Sequence, residues 1–121
     1  MAIDDNPIYN RSCDFAKATI AILRTIHQDP ITRPLISQLV RSSTSIGANL
    51  SEATFGTSRK DFISKVTIAL KEAHESLYWL DLLESSNYID TSQANQLKNE
   101  AREIRKILAT IKLKTAEKAV P

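Results

Sequence analysis

The chain has 121 residues and a net charge of +2, and 42% of its residues are hydrophobic. This size fits one domain with one core, and the hydrophobic content is too high for a disordered tail. No apolar run approaches the roughly 18–20 residues that cross a bilayer, and no cleaved signal is expected at the N-terminus. Two glycines and three phenylalanines argue against a β-sandwich. We therefore expect one cytoplasmic, all-α domain over residues 1–121, with no membrane contact.

The first helix is predicted at residues 8–28. Its apolar side chains recur at helical spacing from Phe15 to Ile26. Asn6-Pro7 favours a helix start, since proline is tolerated in the first turn. The helix is expected to stop near Asp29-Pro30, because the residue before a proline avoids the helical conformation.

The second helix is predicted at residues 33–55. Thr32 is the expected N-cap and Gly56 the expected C-cap. Gly47 lies in the middle of this helix, where glycine lowers helix stability by about 1 kcal/mol relative to alanine. We interpret it as a point of close packing against a neighbouring helix.

The third and fourth helices are predicted at residues 59–86 and 91–114, with a turn at Asn87 between them. Each begins with a capping-box pattern, Ser58-x-x-Asp61 and Asp90-x-x-Gln93. Short connections make sequence neighbours antiparallel, so the expected architecture is an up-down four-helix bundle. The third helix also carries apolar residues outside its core stripe, on further faces: Ile63, Leu70 and Leu77, then Ile68, Trp79 and Leu82. A helix that is apolar most of the way round must be covered on most sides, which predicts a homo-oligomer.

The sequence offers no pattern typical of a catalytic or metal site. A di-iron bundle needs Glu three residues before His, but Lys71 precedes His74 and Arg24 precedes His27 at that spacing. Gly-rich phosphate loops are absent, and Cys13 is interpreted as a small buried hydrophobe. We therefore expect no enzymatic activity, no cofactor and no metal.

The basic residues form a stripe on the last helix. Lys98, Arg102, Arg105 and Lys112 follow at steps of four, three and seven, and the stripe is widened by Lys106, Lys114 and Lys118. Arg59 and Lys60 lie at the turn before the third helix, whereas residues 61–97 carry a charge of −4. Such a surface either binds nucleic-acid phosphates or is a solvated helix face.

One segment resembles a known family. Residues 38–53, with the sequence QLVRSSTSIGANLSEA, closely resemble the signature of the four-helix-bundle proteins encoded by intervening sequences of bacterial large-subunit ribosomal RNA genes. The third helix matches the family at Asp61-Phe62-Ile63, Lys71-Glu72-Ala73, Glu75 and Tyr78-Trp79-Leu80. The resemblance implies a ring-shaped homopentamer of bundles around a central channel. The family is also similar to the accessory protein of diversity-generating retroelements, a basic pentameric barrel that associates with a reverse transcriptase and nucleic acid.

The signature positions carry no implied catalytic role. They are Arg41, Ser42, Ser45, Asn49, Glu52, Asp61, Glu72 and Glu75. The spacing of Arg41, Asn49 and Glu52 places them on roughly one face of the second helix, so that carboxylates of the third helix could pair with Arg41 across the bundle. Both a structural role and a ligand-contacting role remain open for these residues.

Two functional hypotheses follow. The first is a non-enzymatic, homo-oligomeric protein that binds RNA or DNA through six cations: Arg59, Lys60, Lys98, Arg102, Arg105 and Lys112. The second is a scaffold that docks a partner protein, such as a reverse transcriptase, without contacting nucleic acid itself.

Overall fold

The computed structural model describes residues 6–56 and 58–118, and these residues form four α-helices and no β-strand. The helices are α1 (Pro7–Leu23), α2 (Thr32–Ala53), α3 (Arg59–Ser85) and α4 (Thr91–Lys118). Each helix packs against its neighbour in sequence, and α4 closes back on α1. This arrangement confirms the all-α fold class and a compact packing of the four-helix-bundle type. None of the helices in the described part of the chain is long and apolar enough to cross a membrane.

The core follows the predicted apolar stripes. The largest fully buried hydrophobic side chains come from all four helices: Phe15, Leu39, Ile46, Val66, Leu80, Leu83, Leu97, Ile104 and Leu108. Ser12, Thr19, Ser42, Ser43 and Ser76 are buried among them. Every buried side-chain nitrogen or oxygen of the described residues has a hydrogen-bond partner. Small hydroxyl residues therefore let the helices approach closely without leaving polar atoms unsatisfied.

Three helix starts are capped as local sequence predicts. The Asn6 side chain accepts hydrogen bonds from Ile8 N at 3.2 Å and Tyr9 N at 3.4 Å, with Pro7 in the first turn of α1. Ser58 Oγ accepts from Asp61 N at 3.0 Å at the start of α3. Before α4, Asp90 Oδ1 accepts from Gln93 N at 2.7 Å, and Gln93 Oε1 accepts from Asp90 N at 3.4 Å. These are the reciprocal bonds of a capping box.

The connection between α1 and α2 differs from the prediction. The first helix was expected to continue to residue 28, but α1 ends at Leu23. The chain tightens there, because Thr25 N donates to Ile22 O and the Thr25 hydroxyl donates to the same carbonyl at 2.7 Å. The cap of α2 is Asp29 rather than Thr32: Asp29 Oδ1 accepts from Ile31 N and Thr32 N, both at 2.8 Å. These backbone bonds stabilise the carboxylate and lower the pKa of Asp29.

Two expectations about glycine are wrong. Gly56 is not a left-handed C-cap, because no glycine of the described residues has a positive φ. The turn after α2 is closed instead by bonds from Phe55 N to Glu52 O and from Gly56 N to Ala53 O. Gly47 is buried in the middle of α2, yet a Cβ there would lie 3.8 Å from Cys13 Sγ. That is ordinary van der Waals contact, so close helix packing does not require a glycine at this position.

The ends of α3 and α4 complete the comparison. Asn87 has a φ of 65°, Tyr88 N donates to Leu83 O at 2.9 Å, and Asn87 N donates to Glu84 O. This is a Schellman motif with asparagine in the left-handed position, at the predicted turn. The last helix was expected to end at 114 but continues to Lys118, because residues 115–118 contain no glycine or proline. Fading of an apolar stripe shows where packing ends, not where a helix ends.

Much of the apolar surface of α3 is covered within one subunit. Leu77 is buried, and Leu70 and Trp79 pack partly buried against the core. Ile68 keeps an exposed fraction of 38% and Tyr78 one of 57%. The apolar surface that α3 leaves exposed is therefore smaller than the sequence pattern suggested.

Candidate nucleic-acid interface

The basic stripe of α4 lies along the flank of that helix that faces α3. Two contacts fix this orientation: Lys98 reaches the carboxylates of α3 near its C-terminal end, and Arg105 meets His74 in its middle. Lys112 stands seven residues beyond Arg105, two helical turns further along the same flank. Arg102 is adjacent, three residues before Arg105. The predicted spacing therefore gives one continuous cationic flank, hereafter the α3–α4 flank.

Lys98 is the member of the stripe that is already neutralised. Its ammonium lies 2.7 Å from Asp81 Oδ1 and 2.6 Å from Glu84 Oε1, and the residue is only 8% exposed. The hydrogen bonds that Lys98 donates to Asp81 and Glu84 raise the pKa of Lys98 although burial opposes them. This placement ties α4 to α3 and argues against a contact between Lys98 and a phosphate.

Arg102 and Arg105 remain accessible beside a shallow depression. Arg105 Nη1 lies 2.8 Å from His74 Nδ1, and because a guanidinium only donates, this ring nitrogen is the acceptor. Arg102 Nη1 donates to Asn99 Oδ1 at 3.2 Å. In the described part of the chain neither arginine forms an ion pair with a carboxylate. The depression has a volume of about 290 Å³ and is lined by His74, Leu77, Tyr78, Asp81, Arg102 and Arg105.

The remaining predicted cations lie toward the other end of the bundle. Lys112 is half-buried on α4, and Arg59 and Lys60 are exposed in the first turn of α3. Because α3 and α4 are antiparallel, the start of α3 lies at the same end of the bundle as the end of α4. Lys106 and Lys114 are exposed on α4, whereas the side chain of Lys118 lies outside the described residues.

The signature arginine pairs across the bundle as its spacing predicts. Arg41 Nη1 donates to Glu72 Oε2 at 2.9 Å, and Arg41 Nη2 donates to Glu75 Oε2. Trp79 Nε1 donates to the same oxygen of Glu75 at 3.2 Å. Burial lowers the pKa of Arg41, but the charges and hydrogen bonds of Glu72 and Glu75 outweigh it and leave the pKa raised. The α2–α3 contact is thus an ionic network around one guanidinium.

Of the polar signature residues of α2, Ser42 contacts α3, whereas Ser45 and Asn49 form hydrogen bonds within α2. The hydroxyls of Ser42 and Ser76 lie 2.9 Å apart in the buried interior between these helices. Ser45 Oγ donates to Arg41 O at 2.6 Å, and Asn49 Nδ2 donates to Ser45 O at 2.8 Å, so both side chains bond within α2.

Two acidic signature residues lie nearer the α2–α3 turn. Glu52 pairs with Lys65 at 2.8 Å, a second ionic contact from α2 to α3. Asp61 belongs to the first turn of α3, where its backbone nitrogen is capped by Ser58 and a carboxylate is favourable to the helix dipole. Five signature residues, Arg41, Ser42, Glu52, Glu72 and Glu75, therefore take part in contacts between α2 and α3, and these contacts are separate from the α3–α4 flank.

Tyr78 lines the depression beside Arg102 and Arg105 but was not among the candidate site residues named from the sequence. It lies off the core stripe of α3, and its ring packs against Trp79 with centroids 4.8 Å apart and planes at 77°. The sequence did contain a signal for Tyr78. It is an aromatic residue outside the apolar stripe of α3, and the neighbouring helix α4 carries the basic stripe, so it is a candidate for ligand contact. Within the described residues, no group of His, Cys, Asp and Glu side chains could hold a metal ion.

Together these observations define an antiparallel four-helix bundle with a cationic flank between α3 and α4. Ion pairs on both sides of α3 form its ionic seams: Arg41 and Glu52 pair with α3 from α2, and Lys98 pairs with α3 from α4. Comparison with known families adds an identity. The sequence model of the 23S rRNA-intervening sequence protein family matches residues 4–110, and the chain belongs to this family. This confirms the resemblance seen in residues 38–53.

Comparison with solved structures agrees. The chain is similar to a crystal structure of a protein with unknown function from the S23 ribosomal protein family of Bacteroides thetaiotaomicron VPI-5482. The two share 38% sequence identity with a TM-score of 0.77, over 86% of this chain and 96% of that one. A search of curated proteins found no match.

Proposed function

We propose that this protein is a non-enzymatic nucleic-acid-binding bundle that contacts phosphates through Arg102, Arg105 and Lys112, supported by Arg59 and Lys60 at the start of α3. The carrying observation is that the carboxylates of α3 nearest α4 are engaged by Lys98, while the three cations beyond it on the same flank have no carboxylate partner in the described part of the chain. A surface of this kind binds phosphates by releasing counterions. Lys98 is not included, because it is buried and paired.

The test is fluorescence anisotropy with single-stranded and duplex oligonucleotides across a salt series. We expect affinity to fall steeply with salt, with a slope that flattens by about 0.7–0.9 for each phosphate contact removed. Arg102→Glu should flatten the slope and weaken binding. Lys17→Glu changes the net charge equally on an exposed position of α1 and should do neither. Absence of binding at about 50 mM salt, where electrostatic attraction is strong, would overturn the proposal.

We further propose that the protein acts as a homo-oligomer, with the pentamer implied by the family resemblance as the expected assembly. Support comes from large apolar side chains that one subunit leaves exposed, among them Phe55 at 80%, Leu113 at 62% and Ile68. Light scattering should return a multiple of the 13.5 kDa chain mass, and five times that mass for a pentamer. A monomer at micromolar concentration would refute this part.

A second candidate function, a protein-interaction scaffold, is favoured by Phe55. Exposed aromatic side chains are frequent anchors of protein interfaces, and Phe55 lies at the tip of the α2–α3 turn. A pull-down from nuclease-treated extract should then recover one stoichiometric partner, and Phe55→Ala should abolish its recovery. Binding of nucleic acid by the purified protein, with no such partner, would exclude the scaffold as the main role.

A further inference from the structure

The depression on the α3–α4 flank combines three kinds of group that occur together where proteins hold an unpaired nucleotide. It has an aromatic ring, Tyr78, two guanidinium groups, Arg102 and Arg105, and an apolar floor at Leu77. Its volume of about 290 Å³ is just below the usual range of small-molecule sites, roughly 300–1,000 Å³. The space therefore suits a single base with its phosphate rather than a larger ligand.

Tyr78 is held in place while much of its surface is open. The residue is 57% exposed, and its ring rests perpendicular to that of Trp79. Trp79 is itself fixed, because its Nε1 donates to Glu75, and Glu75 is paired with Arg41. A ring positioned by such a chain of contacts loses little conformational freedom when a base stacks on it.

The two arginines are oriented but retain unused donors. Among the described residues each has one side-chain partner, His74 for Arg105 and Asn99 for Arg102. A guanidinium has five N–H groups, so several on each residue remain for phosphate oxygens. Asp81 also lines the depression, and its negative charge would repel an anion. However, Asp81 Oδ1 accepts a hydrogen bond from the Lys98 ammonium at 2.7 Å, which offsets this charge. The local balance is therefore positive.

We propose that Tyr78, Arg102 and Arg105 form a subsite for one unpaired nucleotide of single-stranded RNA or DNA, with Tyr78 stacking on the base and the arginines contacting the adjacent phosphate. This subsite rests on the proposed function and specifies that the bound nucleic acid is single-stranded. A base inside a duplex has both faces stacked on its neighbours and cannot lie on Tyr78, whereas a single strand offers free faces. Lys112 then contacts a phosphate further along the same strand.

The test compares a twelve-nucleotide single strand that carries 2-aminopurine with a hairpin duplex, by anisotropy and by 2-aminopurine fluorescence. Tyr78→Ala should weaken single-strand binding about five- to 140-fold. It should also remove the quenching of 2-aminopurine that accompanies stacking. It should leave the salt slope unchanged, since no phosphate contact is lost. Tyr78→Phe keeps the ring and should bind as the wild type does.

Two controls separate stacking from other roles of this surface. Ile31→Ala removes a different exposed apolar side chain, in the α1–α2 connection, and should leave single-strand affinity unchanged. Light scattering of Tyr78→Ala should give the same mass as the wild type. A smaller mass would show that Tyr78 belongs to a subunit contact, which would overturn the subsite.

The remaining outcomes distinguish the subsite from the function beneath it. If wild-type protein binds both oligonucleotides and Tyr78→Ala binds them equally well, the subsite is refuted and phosphate binding stands. If a free mononucleotide binds as tightly as the twelve-nucleotide strand, the assignment to a polymer is refuted. If wild-type protein binds neither probe, the proposed function fails together with the subsite.

Discussion

Replacing Gly47 by alanine should stabilise this protein. Gly47 lies inside α2, where glycine is about 0.8–1.0 kcal/mol less favourable than alanine. A Cβ built there would meet Cys13 Sγ at 3.8 Å and Ser12 Cβ at 3.9 Å, both ordinary contacts. The added methyl group would also be buried, because Gly47 is buried on the side of α2 that faces α1. We expect a gain of about 1–1.5 kcal/mol in the free energy of unfolding.

Urea unfolding and a thermal melt would measure this gain, with an expected rise in Tm of about 4–6 °C for a chain of this size. Gly56→Ala is the matched control, because a Cβ there would lie 3.2 Å from the backbone oxygen of Ala53 and the position is outside a helix. That variant should gain nothing or lose stability. A Gly47→Ala variant that unfolds at a lower urea concentration than the wild type would refute the reasoning. The methyl group would then clash with something other than its neighbours within the chain, such as a second subunit.

The ionic seams of α3 give two further predictions. Arg41→Met should lower the free energy of unfolding by about 1–2 kcal/mol, because it leaves the mostly buried carboxylate of Glu72 without its cation. Arg33→Met, an exposed position of the same helix, should change it little, and equal losses in both variants would contradict the network. The pKa of Lys98 is raised, so its pairing stabilises the fold below the ordinary lysine value and is lost as pH rises through the raised value. The stability difference between wild type and Lys98→Met should therefore shrink above about pH 10.5 in urea titrations, and a constant difference up to pH 11.5 would contradict the ion pair.

Features determined by a few adjacent residues were predictable from the sequence. The capping boxes at Ser58 and Asp90 and the turn at Asn87 depend on hydrogen bonds within four or five residues. The end of α1 was not predictable in the same way, because neither glycine nor proline marks Leu23. Pro30 suggested a later end for α1, but it follows Asp29, the residue that caps the start of α2.

One ionic contact between helices was predicted from the sequence with its residues, the pairing of Arg41 with carboxylates of α3. Arg41 was paired correctly with Glu72 and Glu75, since these carboxylates lie one turn apart and flank a single face of α3. Lys98 was assigned to a phosphate surface because its spacing fits the stripe of Arg105 and Lys112. Its burial depends on how far α4 is rotated toward α3, and spacing along one helix does not specify this rotation.

The positions of the acidic residues along α3 determine which cations of α4 are left unpaired for contact with phosphates. Its carboxylates beyond the first turn lie in the second half of the helix, at Glu72, Glu75, Asp81 and Glu84, and those facing α4 engage Lys98. The first half of α3 contains Lys65 and Lys71 and, beyond its first turn, no acid. Because the helices are antiparallel, this half lies beside the last turns of α4, so the negative charge of α3 decreases from the depression toward the α2–α3 turn.

A bound strand should follow that gradient. From Arg102 to Lys112 the flank rises by about 15 Å, which is enough for a few nucleotides of an extended single strand. Three cations on this length predict a salt slope of about −2 per subunit for a single strand. A steeper slope per subunit would require phosphate contacts beyond these three cations. Arg59 and Lys60 at the start of α3 are the next to test, followed by the exposed Lys106 and Lys114 on the outer side of α4.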